Sequence, residues 1–261
     1  MLTSRFESLR ASRRRALVCY VTAGHPDRAR SLELLHGLAD AGADVIEVGV
    51  PFSDPVADGP VIQASSRRAL ELGMTLDGAL ELVAEAKLTV PVVLFSYLNP
   101  ILAAGPHVLS RARAAGVHGL LVTDLPVGED PEREAWFGDG PLDFVRLVAP
   151  TTPTNRMAEI ARHGRGFVYL ISRLGVTGMR ADVSASLPET MARLRAVCTL
   201  PICVGFGISG PEQAREVGKL AEGIVVGSAL VQTAERSVGE ALAFTRSLRA
   251  ALDDLDLRHT P

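Results

Sequence analysis

Short apolar runs alternate with longer stretches of helical period along the whole chain. The runs are Ala16–Val21, Asp44–Val50, Pro91–Tyr97, Gly119–Asp124, Asp143–Ala149, Gly166–Ser172, Pro201–Gly207 and Gly223–Ser228. Most are apolar at successive positions, as parallel strands must be when helices cover one face and a core fills the other. Between them, Asp27–Ala41, Asp77–Ala86, Asn155–Arg162, Pro188–Val197, Pro211–Leu220 and Ala229–Leu252 place apolar residues at helical spacing. Start signals such as Pro153 and Ser209-Gly210-Pro211 precede two of them. Ser4–Ser12 predicts an extra helix ahead of the first strand.

This alternation predicts an α/β protein: a single (β/α)8 TIM barrel over residues 1–261 with an additional N-terminal helix. A doubly wound open sheet is the competing architecture. It usually carries G-x-G-x-x-G after its first strand, whereas Thr22-Ala23-Gly24-His25-Pro26-Asp27 stands here. Two connections exceed what a barrel needs. Pro51–Val90 holds an extra segment before its main helix, and Arg173–Leu187 shows no helical pattern until its end. Long loops in a compact barrel commonly serve as lids.

Composition narrows the class. With 47% hydrophobic residues among 261, the chain can bury enough surface to offset its conformational entropy, so disorder is excluded. Charges and prolines interrupt every apolar run well short of a membrane span. The opening residues lack an apolar stretch behind their arginines, so no secretory signal is expected. A net charge of −3 argues against nucleic-acid binding, and Arg13-Arg14-Arg15 reads as a solvated helix end. Cys19, Cys198 and Cys203 form no C-x-x-C pair, which points to a reduced, cytoplasmic protein. The six histidines show no metal-ligand spacing and read as solvated, and no Ser occupies a G-x-S-x-G elbow.

Barrel active sites gather at the C-terminal ends of the strands. Glu47 interrupts the run Val45–Val50, on the strand face shared by Val45 and Gly49. An inward Glu47 is either a structural ion-pair member, with Arg146 the one basic candidate in the other runs, or a proton donor and acceptor. Without a partner, burial should raise its pKa toward neutrality, which favours the second reading. Asp54 and Asp58 follow in a loop stiffened by Pro51, Pro55, Gly59 and Pro60. There Asp commonly only turns the chain, but the loop leaves the strand that carries Glu47. Gly205–Gln213 and Val226–Val231 each run from a strand end through Gly and Ser into a helix start, after the seventh and eighth strands. That is where barrels hold phosphate. Gly175–Gly178 is either a plain turn or part of a lid over that ligand.

These residues resemble the tryptophan synthase alpha chain over nearly the whole sequence. The most specific segments are Glu47–Gln63, Ser96–Ile101, Thr123–Pro126, Ala149–Pro153, Gly166–Gly178, Gly205–Ser209 and Val226–Ala229. The resemblance implies a lyase that cleaves indole-3-glycerol phosphate to indole and glyceraldehyde 3-phosphate. By position, Glu47 matches the general acid/base and Asp58 the second carboxylate. Tyr169 matches a tyrosine beside the acid/base residue, and Tyr20 stands where Phe is common and would pack on indole. Gly178, Gly207, Gly227 and Ser228 would hold the phosphate, and Thr177 would meet Asp58 on lid closure. No cofactor or metal is implied.

The family works beside a beta chain, a pyridoxal-phosphate enzyme that receives indole through a tunnel, in an alpha2beta2 tetramer. Asp54, Asn99 and Pro126 match docking positions. Val127-Gly128-Glu129-Asp130 and His25 depart from the usual pattern near the rim. Those departures motivate a free-standing indole-releasing lyase as an alternative. A weakly active regulatory subunit is a third reading, against which the pair of retained acids argues.

Overall fold

The computed structural model describes residues 2–171, 186–205 and 207–257. Those residues form eight parallel strands: β1 (Ala16–Thr22), β2 (Val45–Gly49), β3 (Val92–Ser96), β4 (Val117–Val122), β5 (Asp143–Val148), β6 (Val168–Ile171), β7 (Ile202–Gly205) and β8 (Gly223–Val226). They pair in chain order, and β8 returns to β1 to close the barrel expected from the sequence. Pleat alternation divides each strand between two cores. Val18, Val45, Val93, Leu121, Val145, Tyr169, Cys203 and Val225 fill the barrel interior. Leu17, Ile46, Val48, Leu94, Leu120, Phe144, Leu170, Val204 and Ile224 point outward under the helices. Full burial of such an aliphatic side chain contributes roughly 1.5–3 kcal/mol.

The helices are α1 (Leu2–Ala11), α2 (Arg28–Asp40), α3 (Pro60–Glu71), α4 (Leu76–Ala86), α5 (Leu98–Ala103) and α6 (Val108–Ala114). The second half of the chain adds α7 (Pro131–Gly138), α8 (Thr154–Arg162), α9 (Leu187–Arg195), α10 (Pro211–Gly218), α11 (Ser228–Arg236) and α12 (Val238–Leu257). Local signals set several starts: Asp27 caps α2 through the Arg30 amide, and Thr75 caps α4 through the Gly78 amide. The single final helix expected from the pattern is two. Ser237 adopts an extended backbone, and its hydroxyl accepts the Glu240 amide, which ends α11 and starts α12. The extra segment of the second connection is α3. Short α5, α6 and α7 occupy connections in which no long helical period was visible. Most of the sixth connection lies outside the described residues.

The extra helix closes the N-terminal end of the barrel. Leu2, Phe6 and Leu9 join the interior core, and the Phe6 ring lies 5.2 Å from Phe167. Leu2 reaches between β4 and the start of β6 because Gly119 and Gly166 carry no Cβ there; Gly166 also has φ +79°. Below β2, buried Asp44 accepts the Leu17 amide at 2.8 Å and meets Arg5 at 2.5 Å and Arg249 at 3.0 Å. Arg14 lies 3.8 Å from the same carboxylate, and Arg15 donates to the Gly218 carbonyl. The arginine run is therefore a solvated end only at Arg13; its neighbours bind the base of the barrel.

Candidate active site

Glu47 sits at the centre of β2, paired in register with Tyr20 on β1 and Val93 on β3. Alternation turns it inward with Val45, and it is fully buried. Neither carboxylate oxygen has a hydrogen-bond partner among the described residues. Loss of water alone pushes its pKa up to about 8. Arg146 alternates to the outer face of β5. There it pairs with Glu134 at 3.0 Å and lies 3.9 Å over the Phe144 ring. The ion-pair reading of Glu47 thereby loses its candidate partner.

Two tyrosines flank this acid, and glycine makes room for each. A Cβ at position 49 would collide with the Tyr20 hydroxyl, and a Cβ at position 205 with that of Tyr169. Tyr20 meets Phe95 edge-on at 5.2 Å, and Ile62 and Val231 pack on the same ring cluster. Burial raises both phenol pKa values, and the nearby charges of Glu47 and Asp58 add to the rise. Both rings therefore stay neutral. Because each phenol feels both acids, the four groups share one end of the barrel.

Asp58 is buried on the loop after β2. Its amide donates to the Pro55 carbonyl at 3.1 Å, its own carbonyl accepts Gln63 Nε2 at 2.9 Å, and Gly59-Pro60 opens α3 directly behind it. The carboxylate accepts the Tyr97 hydroxyl at 3.1 Å, and that hydroxyl accepts the Ala57 amide at 2.9 Å. Phe52 lies against the Tyr97 ring at 5.0 Å. Burial pushes the Asp58 pKa up to about 6, and the Tyr97 hydrogen bond opposes that rise. Tyr97 was not singled out from the sequence. Its signal was its place directly after a strand, beside the Asp-bearing loop.

At the facing edge, Gly207 holds φ +96° at the exit of β7, where a residue with a side chain would be strained. The Ser209 amide and hydroxyl are both taken by Gln213 Oε1. Gly227 precedes α11, whose first residue, Ser228, is exposed. The Tyr20 side chain lies 3.6–3.8 Å from where a Gly227 Cβ would stand, so this corner adjoins the tyrosine paired with Glu47. Free amides at a helix start suit an anion. Thr177 and Gly178 lie outside the described residues, as does the proposed lid segment Gly175–Gly178. No cluster of three His, Cys, Asp or Glu suited to a metal occurs among the described residues.

A family model described as tryptophan synthase alpha chain matches residues 6–256. The chain belongs to the tryptophan synthase alpha-chain family. An alpha chain from Desulfatibacillum aliphaticivorans is 46% identical over 94% of this chain and 96% of its own length. One from Citrifermentans bemidjiense is 48% identical over 92% and 91%. The tryptophan synthase of Mycobacterium tuberculosis in space group F222 matches with a TM-score of 0.89 at 36% identity, covering 96% of this chain and 97% of that one. The alpha subunit from Legionella pneumophila strain Paris matches at 0.88 and 34%, covering 97% and 98%.

Within this alpha-chain barrel, Asp54, Asn99 and Pro126 are exposed on the connections that leave β2, β3 and β4, three neighbouring strands, with Asn99 in the first turn of α5. Val56 stands beside them 81% exposed. Of the departures from the family pattern, Gly128 and Glu129 are exposed, while Val127 and His25 turn inward. Val127 is buried, its carbonyl accepts Arg156, and the Gly128 amide donates to Glu134, the partner of Arg146. His36, His107 and His163 are exposed as expected, and His118 is half-buried and accepts the Val92 amide. His25, read as solvated, is buried; His259 lies outside the described residues. No described helix is long and apolar enough to cross a membrane.

Proposed function

We propose that this chain cleaves indole-3-glycerol phosphate by a retro-aldol reaction, with Glu47 as the acid/base and Asp58 as the electrostatic partner. The observation that carries this is a fully buried Glu47 without a partner, its pKa near 8, at the same barrel end as Asp58 with a pKa near 6. At neutral pH the first is mostly protonated and the second mostly ionised. That is the division of labour the reaction needs.

Glu47 gives its proton to indole C3, and the positive charge appears on the ring nitrogen. Asp58 accepts a hydrogen bond from that N–H and stabilises the charge as it develops. The Glu47 carboxylate then takes the proton of the side-chain hydroxyl beside the ring. As the aldehyde forms, the bond to C3 breaks and its electron pair returns to the ring, which releases neutral indole. One acid starts and ends protonated, so no metal or cofactor enters the balance. Tyr97 aims Asp58 and favours its ionised form. Tyr20 packs on the indole and Tyr169 walls the acid. Gly207 after β7, Gly227 and Ser228 at the start of α11, and Gly178 from the sixth loop hold the phosphate, and Thr177 meets Asp58 on lid closure.

The same reading gives the chain a beta-chain partner in an alpha2beta2 tetramer in the cytoplasm, docked through Asp54, Asn99 and Pro126. Exposure of these three supports docking, and burial of Val127 and His25 keeps those two departures out of the contact. The test is to incubate the purified protein with indole-3-glycerol phosphate and assay indole with and without a beta chain. Indole should form in both cases and faster with the partner. No indole under either condition would overturn the proposal, and no acceleration would leave a free-standing lyase.

A further inference from the structure

Glu47 and His25 share a condition among the described residues: each is buried, and both polar atoms of each side chain lack a hydrogen-bond partner. The proposed chemistry uses Glu47 and leaves His25 unexplained. An orphaned buried polar group usually has a role. We propose that His25 is an acid-operated latch, whose protonation loosens the seat of α11, the helix that starts at the Gly227 corner of the site.

His25 lies on the short loop from β1 to α2, only 5% exposed, with its amide donating to the Thr22 carbonyl. The charges it feels come from every side: Glu235 on α11, Arg30 on α2, Arg68 on α3, and Asp27 in its own loop. Arg30 also donates to the carbonyls of Ala234 at 2.9 Å and Glu235 at 3.0 Å, which fastens α2 to the last turn of α11. A neutral ring already leaves one N–H and one lone pair without a partner among the described residues, and protonation adds to that cost. A protonated ring would bring a desolvated cation beside two arginines, against two carboxylates, and its two N–H groups would have no acceptor.

Burial and the two arginines accordingly lower the His25 pKa, against the pull of Glu235 and Asp27. The sign follows from proton uptake. An opened loop returns the ring to its ordinary value near 6.5, so opening binds a proton that the closed form refuses. The closed junction is fully favoured above that pH. It weakens as pH falls below it, by at most about tenfold per pH unit for one proton. The consequence for substrate binding rests on the proposed function; the latch itself is read without substrate.

The test is native-state hydrogen exchange on the full chain, corrected for intrinsic rates, for the wild type and His25→Phe at several pH values down to about 5.5. In the wild type, opening of α11 and of the first turn of α2 should rise by up to about fivefold between pH 6.5 and 5.5, with the strands unchanged. In His25→Phe the rise should vanish. A flat α11 profile in the wild type, or the same rise in the variant, would overturn the proposal. Should the variant not fold, NMR titration of the wild-type imidazole decides. A midpoint below the ordinary value, shared by α11 amides, supports the latch, and a midpoint at or above it refutes it. Failure of the separate indole assay would remove the proposed function and leave the exchange result standing.

Discussion

Asp44, just ahead of β2, and Glu47, at the strand's centre, are both completely buried carboxylates, yet their surroundings are opposite. Asp44 accepts a backbone amide and two arginines, with a third nearby. Glu47 meets apolar walls and phenol rings and accepts no hydrogen bond from the described residues. Burial therefore says little about a carboxylate's role until its partners are counted. At the closed N-terminal end, complete pairing makes the acid part of the scaffold. Three residues further along the chain, toward the C-terminal end, the missing partner leaves a proton held near neutral pH. Barrels divide stability and chemistry between their ends in this way.

Substitution separates the two roles. Glu47→Gln should cut indole formation by about 10²–10⁴-fold, the usual worth of a general acid/base, with the fold intact. Its stability should also change with pH in a defined direction. The native Glu47 pKa, about 8, lies above the ordinary glutamate value. The wild type's contribution from this group is therefore full below about pH 4.3 and is lost as pH rises through 8, whereas Glu47→Gln lacks that slope. Denaturant midpoints of the two proteins across this range check it. Asp44→Asn should do the converse. It leaves Arg249 and Arg5 short of their counter-charge, should cost about 3–5 kcal/mol in urea unfolding, and should keep kcat for the molecules that remain folded.

Asp58→Asn tests whether the second acid works by charge. A loss of about 10²–10³ in kcat/KM is expected, since the hydrogen-bond acceptor survives in part and the negative charge does not. A loss confined to KM would assign Asp58 to binding alone. Tyr97→Phe is the mildest change: about tenfold or less in kcat/KM and about 1 kcal/mol of stability, from one hydrogen-bonded hydroxyl. Its distinctive mark is the acid limb of the pH–rate profile. Tyr97 holds the Asp58 pKa down, so its removal should shift that limb upward from about 6. An unmoved limb would mean that Tyr97 only packs.

Much of this was legible in the residues because the signals were local and repeated. The apolar runs marked the strands, and the alternation Val45-Glu47-Gly49 already turned one acid inward. What escaped depended on contacts between distant segments. Arg146 sits in an apolar run like a partner for Glu47, but pleat parity points it at Glu134 on the opposite face. Arg14 and Arg15 read as solvated until the base of the barrel meets them. The break at Ser237 rests on one hydroxyl capping one amide within an otherwise continuous helical pattern. Tyr97 gains meaning only when Asp58 folds back onto it.

The most direct test of the central claim is a ¹³C NMR titration of the Glu47 carboxyl carbon in the ligand-free protein, assigned by comparison with Glu47→Gln. A buried acid without a partner among the described residues should titrate near pH 8, because burial disfavours its charged form. A midpoint near the ordinary value of about 4.3 would mean that Glu47 is ionised at neutral pH, with no proton to give to the ring carbon, and would contradict the account.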